Sequence, residues 1–184
     1  GPDDVRTVDE RGTFGGNKDA AYLALNPNGL VPTVLDGDLI LWESNSVVRW
    51  LAAKHSAGIL WPTDPDARAK CEMWMDWQLT SLNNLMVPVF HPLVRFPPEQ
   101  RDPAAIRAAA EAWGKAWRIL DDHLSRNDWV GGDAFTMADI PIGPLAYRWY
   151  ELPIERADLP NLRRWYDAIC ARPAYRKNVM TGLV

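Results

Sequence analysis

Two short apolar runs, Thr33-Val34-Leu35 and Leu39-Ile40-Leu41-Trp42, stand on either side of Asp36-Gly37-Asp38. Apolar runs of that length bounded by turn residues predict strands, and the Asp-Gly-Asp step between them predicts a hairpin. Upstream, Val5-Arg6-Thr7-Val8 alternates and predicts a further strand over 5–8. The stretch 9–18 is polar, contains Gly12, Gly15 and Gly16, and reads as loop. A short helix is expected over 19–25, stopped before Asn26-Pro27. After Trp42 the spacing lengthens. Val47, Val48, Leu51 and Ala52, with Trp50 beside them, form the stripe of a helix over 44–55 that Ser44 is placed to cap.

The pattern then changes for good. Gly58, Pro62 and Pro65 mark 57–65 as a linker, and no strand pattern comes after it. Over 66–90 a long helix is expected, bent before Pro88. Cys71, Met75, Leu79, Leu82, Met86 and Val89 line one face, with Met73, Trp74 and Trp77 on a neighbouring one. The clearest helix covers 103–124, where Ile106, Ala109, Ala110, Trp113, Ala116, Trp117, Leu120 and Leu124 keep the period. Next come a loop over 127–134 and a helix over 136–151, with Thr136 as cap and Asp139 three residues on, close to a capping box. Pro141 and Gly143-Pro144 are expected to kink its first turns. A helix over 159–171 and a short final helix complete the chain. The expected organisation is therefore an α/β module over 1–56, the linker 57–65, and an all-helical domain over 66–184.

Composition narrows the function classes. The chain has 184 residues, 47% hydrophobic and 24% charged, with a net charge of -4. A negative balance argues against nucleic acid as the main partner, since phosphate binding needs a basic face. No apolar run is long enough to span a bilayer. Cys71 and Cys170 lie far apart, outside any CxxC, and read as buried free thiols, a usage that fits a reducing cytoplasm. His55, His91 and His123 have no metal-ligand spacing and receive no role. Ten tryptophans, most of them beyond Lys70, predict a bulky aromatic core.

The candidate chemistry lies between Asn26 and Asn45. A cis Val31-Pro32 bond would turn the Val31 N–H and C=O outward, where they could pair with the backbone of a bound peptide; a trans proline opening a strand is the plainer alternative. Glu43-Ser44 joins a strand to a helix. Free N–H groups and the helix dipole there attract a carboxylate, the Ser44 hydroxyl adds a donor, and Glu43 can face an ammonium group. One α-amino acid head needs both signs side by side. Alone, Ser44 would be an ordinary cap. Its spacing from Val31-Pro32, with a hairpin between, favours a site for a small zwitterionic peptide.

The run Asn26-Pro27-Asn28-Gly29-Leu30-Val31-Pro32, then Leu41-Trp42-Glu43-Ser44-Asn45 and Val48-Arg49-Trp50-Leu51, resembles the glutathione S-transferase family. Residues 133–140, Asp-Ala-Phe-Thr-Met-Ala-Asp-Ile, look like that family's helix-capping motif, and the stretch from Arg11 to Lys18 is similar to its bacterial members. The resemblance implies a thioredoxin-like first domain, incomplete in this sequence, an all-α helical bundle as the second, and a cytoplasmic homodimer active in detoxification. It implies that Val31 holds the cysteinyl backbone of glutathione across a cis Pro32, that Glu43 and Ser44 hold the γ-glutamyl head, and that Asn17 or Lys18 reaches the glycine carboxylate. A basic residue is common in the family where this chain has Leu30. Trp74, Trp77, Phe90 and Arg95 are candidates for the second-substrate pocket, against a plainer reading as core aromatics and a surface arginine.

The implied activity is transfer of the glutathione thiolate to a small electrophilic apolar compound, with glutathione as substrate and no metal. A glutathione-dependent disulfide or peroxide reductase would use the same site. A non-catalytic dimerisation or scaffold module is the alternative from another class. The family's first strand and helix, roughly 30 residues, would precede Val5 and supply the Ser, Tyr or Cys that hydrogen-bonds the sulfur. No residue here takes that role, because Tyr22 and Ser46 fall elsewhere in the pattern. Gly1-Pro2 fits a protease scar, and strand 5–8 is expected to be displaced or paired with something unexpected.

Overall fold

The computed structural model describes residues 16–183. The expected strand over 5–8 and most of the loop after it lie outside the described residues. The chain divides into two compact units, Gly1–Lys54 and His55–Val184.

In the first unit, α1 (Ala20–Leu23) leads into a turn where the Leu25 and Asn26 N–H groups both donate to Tyr22 C=O. Strands β1 (Thr33–Asp36) and β2 (Leu39–Trp42) pair antiparallel, with Thr33 opposite Trp42 and Asp36 opposite Leu39. The connection is therefore the two residues Gly37-Asp38, with Asp36 inside the ladder. Gly37 sits at φ +60, the left-handed conformation that tight hairpins demand. Helix α2 (Ser44–His55) buries Asn45, Val47 and Ala52, and Lys54 returns to form an ion pair with Asp36. Ser44 is not its cap. Glu43 holds that position, since its C=O accepts the first helical bond from Val47 N–H at 3.0 Å. The strand ends at Trp42 and the helix starts at Ser44, both as the pattern predicts; only the cap moves, to Glu43.

The second unit is helical: α3 (Pro65–Trp77), α4 (Asn83–Phe90), α5 (Pro103–Leu124), α6 (Asp139–Glu151), α7 (Pro160–Cys170) and α8 (Pro173–Asn178). Asp64 caps α3 by accepting from Ala67 N–H, and Asp102 caps α5 from Ala104 and Ala105, each ahead of a proline in the first turn. The expected long helix over 66–90 is interrupted by a π-type stretch, Gln78–Leu82, and a second one, His91–Arg95, comes after α4. Gln78 is buried while Leu79, expected in the core stripe, is 41% exposed; Leu82, Met86 and Val89 beyond the stretch are buried as expected.

Helix α5 behaves as its periodicity predicts. Ile106, Ala110, Trp113, Ala116, Trp117, Leu120 and Leu124 are buried, and the helix packs against α4 and α7. Trp113 and Trp117 meet Trp149 of α6 at centroid distances of 5.0 and 6.1 Å. Gly143 lets α6 approach α8, because a Cβ there would lie 2.8 Å from the Tyr175 ring. Residues 57–65, read as a linker, are tied into this unit by Met137 N–H donating to Leu60 C=O at 3.0 Å.

Asp139 organises the junction of α6 with its neighbours. It is fully buried and accepts from Val130 N–H (2.9 Å), Thr136 N–H (2.9 Å), the Thr136 hydroxyl (3.4 Å) and Trp165 Nε1 (2.8 Å). Thr136 Oγ1 accepts from Ala138 N–H at 3.3 Å, so the expected box is present, although the regular helix begins only at Asp139. Burial pushes the Asp139 carboxyl above the ordinary carboxylate range, and the donors from Thr136, Val130 and Trp165 pull it back. All four partners can donate, which suits an acceptor-only carboxylate. Asp121 of α5 does a similar service for α7, whose preceding residue Leu159 has no capping side chain. It accepts from Leu162 N–H at 2.7 Å and Asn161 Nδ2 at 3.2 Å.

These buried groups lead to two testable outcomes. Asp139→Ala leaves several buried donors without an acceptor and is expected to reduce stability by about 3 kcal/mol or more. In thermal unfolding that is a drop of roughly 6–12 °C, and a shift under about 2 °C would remove Asp139 from this role. His123 concerns pH. Its neutral form with the proton on Nε2 donates to Val130 C=O at 3.0 Å while Nδ1 accepts from Asn127 at 3.5 Å. Burial lowers its pKa, opposed by the Val130 bond. The unfolded chain therefore takes up the proton first, and the stability His123 contributes is full above about pH 6.5 and is lost as pH falls below it. Urea unfolding of His123→Gln is expected to show a shallower loss than the parent between pH 7 and 5; equal slopes would assign the acid sensitivity elsewhere.

Candidate functional site

The hairpin brings the two chemistry-bearing dipeptides to one end. Beyond the last ladder pair, Thr33 with Trp42, the next positions outward are Pro32 on one strand and Glu43 on the other, and then Val31 and Ser44. The Val31–Pro32 peptide bond is cis. Val31 is 50% exposed, and Glu43 and Ser44 are also exposed. Glu43 has φ +72, the one non-glycine residue at positive φ among the described residues. A side chain in that region stores about 1–3 kcal/mol and persists only where the surroundings impose it. Here the imposed turn sets a carboxylate beside the N-terminus of α2, where backbone N–H groups and the helix dipole favour a negative ligand group. The result is one acidic side chain next to one anion-favouring helix end, as an amino acid head requires.

The segment carrying Val31 is clamped from beneath. Asn26 is buried and donates to Leu30 C=O at 2.8 Å and to Thr33 Oγ1 at 3.1 Å. The Tyr22 hydroxyl donates to Leu30 C=O at 2.6 Å and lies 2.8 Å from Thr33 Oγ1. Asn26 Oδ1 accepts from the Asn28 N–H, an Asx turn. Asn17 Nδ2 and Lys18 Nζ both donate to Gly29 C=O, at 2.8 and 2.9 Å. Gly29 itself is at φ +59, and a Cβ there would lie 2.8 Å from Lys18 Nζ. Asn17 is buried and spends its amide on this latch, whereas Lys18 is exposed and retains further donors.

Tyr22 and Asn26 are the positioning residues that sequence reasoning passed over. The available signal was the Asn-Pro-Asn-Gly step, an Asx-turn pattern immediately before Val-Pro. Nothing local marks Tyr22, because its partners are eight and eleven residues away.

The four second-pocket candidates fall into two groups. Trp74 is buried, meets Trp77 edge to face at 5.1 Å and lies 4.7 Å from the His123 ring. Phe90 is buried under Arg95, whose Cζ is 5.6 Å from its centroid. Trp77 and Phe90 are thirteen positions apart on one helical run, about 20 Å along its axis. Burial pushes both cysteine thiols up, away from the reactive thiolate. Among the described residues, no group of His, Cys, Asp or Glu converges so as to hold a metal ion, and no helix is long and apolar enough to cross a membrane.

Comparison with known proteins identifies the family. Residues 2–54 match the glutathione S-transferase N-terminal domain and residues 82–173 the glutathione S-transferase C-terminal domain. Glutathione S-transferase GstB of Escherichia coli K12 is 46% identical over 169 residues, covering 91% of this chain and 81% of that protein. The theta class glutathione S-transferase from Xanthomonas axonopodis pv. citri, solved with glutathione bound, superposes with a TM-score of 0.90 at 45% identity over 95% of this chain and 84% of that one. The disulfide-bond oxidoreductase YfcG of E. coli is more distant, 26% identical over 87% of this chain and 76% of its own length. A small hairpin unit followed by a helical one, both domain matches and the identity to GstB lead to one conclusion: the chain belongs to the glutathione S-transferase family.

Proposed function

We propose that the chain binds reduced glutathione at the open end of the hairpin and directs its thiolate to a small electrophilic apolar compound. The observation that carries this reading is the convergence of cis Val31–Pro32 and Glu43-Ser44 at one end of the ladder, with Glu43 held at positive φ beside the start of α2. Glutathione presents what that end can take. Its γ-glutamyl ammonium suits Glu43, its α-carboxylate suits Ser44 and the α2 N-terminus, and its cysteinyl backbone suits Val31. Lys18, near Gly29, is the candidate for the glycine carboxylate, with Asn17 holding the loop beneath. In the reaction the sulfur lone pair forms a bond to the electrophilic carbon while that carbon's leaving group departs with its electron pair. These residues contribute by holding and orienting the tripeptide, which converts an encounter between two solutes into a positioned one. No described residue is assigned to lower the thiol pKa. Assembly as a homodimer and a cytoplasmic role in detoxification belong to the same proposal.

A second reading has the same site reduce disulfides, favoured by the likeness to YfcG. Both reactions start from bound glutathione and differ in the partner, so a glutathione-dependent rate on a small disulfide against one on an aryl halide separates them. A faster disulfide rate would replace transfer with reduction.

Calorimetric titration of reduced glutathione is expected to show one saturable site. Glu43→Ala should weaken it by about 1–3 kcal/mol, or roughly 5- to 150-fold in Kd. Unchanged affinity would withdraw the Glu43 assignment, and absence of binding by the parent chain would favour a non-catalytic scaffold. Tyr22→Phe removes one donor beneath Leu30 and is expected to weaken binding by roughly 0.5–1.5 kcal/mol. An effect larger than that of Glu43→Ala would make Tyr22 a ligand contact instead of a support.

A further inference from the structure

The first turns of α5, the stretch His91–Arg95 and the turn after α6 enclose a cavity of about 290 Å³ in the helical unit. On α5 it is lined by Pro103, Ile106 and Ala110 together with Arg107 and Glu111. These five recur at steps of three and four, so one face of the helix carries both the apolar and the charged members. Leu93, Pro153 and Ile154 complete the apolar part, and Arg101 and Glu155 the charged part. The lining includes none of Trp74, Trp77, Phe90 and Arg95, so this is a different place from the candidate second-substrate pocket.

Both loop walls are pinned by arginines that donate to backbone carbonyls. Arg101 Nε and Nη2 donate to Phe96 C=O at 3.1 and 2.9 Å, closing the turn ahead of α5. Arg156 Nε donates to Trp149 C=O at 2.6 Å, and its Nη2 to Tyr150 C=O at 3.0 Å and to Leu152 C=O. Those bonds tie the segment carrying Pro153, Ile154 and Glu155 to the end of α6. A hollow with fixed walls is preformed, as small-ligand sites usually are.

The charges around it are not used within the fold. Arg107, Glu111 and Glu155 are exposed and Arg101 is half-buried. The ion pairs among the described residues join Lys54 to Asp36, Arg163 to Asp167 and Arg164 to Asp128. Two cations and two anions therefore stand around one apolar hollow, outside those pairs. A neutral apolar ligand would leave all four to water, and a simple anion or cation would answer one sign only. The lining contains no aromatic ring, so nothing there favours a flat ligand by stacking. The volume falls below the range of drug-sized ligands.

We propose that this cavity binds a free α-amino acid with a large aliphatic side chain. The side chain lies against Ile106, Ala110 and Ile154, the carboxylate on Arg107 and Arg101, and the ammonium on Glu111 and Glu155. A guanidinium offers a carboxylate planar, bidentate pairing. Every lining residue belongs to the helical unit, so the inference stands whether or not glutathione binds to the hairpin.

The test titrates the full chain, without glutathione, by calorimetry. The probes are L-leucine, leucinamide (no carboxylate), N-acetyl-leucine (no ammonium) and glycine (no apolar body). Leucine is expected to saturate one site, with glycine at least about tenfold weaker and the two singly charged analogues about fivefold weaker. Arg107→Gln and Glu111→Gln alter exposed positions of a long helix and should each weaken leucine by roughly threefold. Ile154→Trp, which fills the hollow from a half-buried loop position, should abolish binding. No saturation by leucine up to about 20 mM, equal affinity for leucine and its singly charged analogues, or unaltered leucine affinity in Arg107→Gln would each overturn the proposal. Tighter binding of N-acetyl-leucinamide, which mimics a residue inside a chain, would also overturn it, in favour of a peptide. The glutathione titration reads the other site and does not bear on these outcomes.

Discussion

The helical unit depends on one carboxylate that has no counter-ion among the described residues. Asp139 collects two backbone N–H groups, a hydroxyl and an indole N–H, and so fixes the loop at Val130, the turn at Thr136 and helix α7 through Trp165. An ion pair would concentrate this job on one partner. Four neutral donors distribute it over three elements, and each is satisfied only if the others stay in place. The surrounding packing is correspondingly tight: a Cβ on Gly131 would meet Thr136 Oγ1 at 2.4 Å and Cys71 Sγ at 2.8 Å. The start of α6 is fixed by this junction.

In the first unit the same problem is solved with backbone carbonyls. A site that recognises a peptide through main-chain groups cannot rely on rotamers for its shape, so the loop itself has to be held. Gly29 and Leu30 C=O are each taken by two side chains, from Asn17 and Lys18 and from Tyr22 and Asn26. These bonds lie immediately before Val31. On the other strand, the strained turn at Glu43 is imposed by the ladder behind it and the helix ahead. The backbone geometry at both positions therefore rests on neighbouring groups, of which Lys18 alone also has a proposed ligand contact.

Much of this was legible in the residues. Periodicity is enough to find the hairpin, α2 and the α5 stripe because each buries one continuous face, and that is what a period reports. Glu43-Ser44 and Val31-Pro32 were legible through their spacing and through resemblance. Two things were not. Leu79 was expected in the core stripe, yet Gln78 takes the buried place there while Leu82, Met86 and Val89 keep theirs. Capping of α7 by Asp121 is a contact across forty-one positions.

The two-residue connection at Gly37-Asp38 sits at the opposite end of the ladder from Val31 and Ser44. Four paired positions separate the tip from the proposed binding end, so a replacement turn that keeps the register reaches none of the proposed ligand groups. A residue added or removed within either strand is a different matter. It would shift the partner of every position by one, turn the outward side chains inward, and pull cis Val31–Pro32 out of step with Glu43. The hairpin thus separates a tolerant turn from an alignment that has to be inherited whole, and foreign sequence grafted onto this unit belongs at the tip.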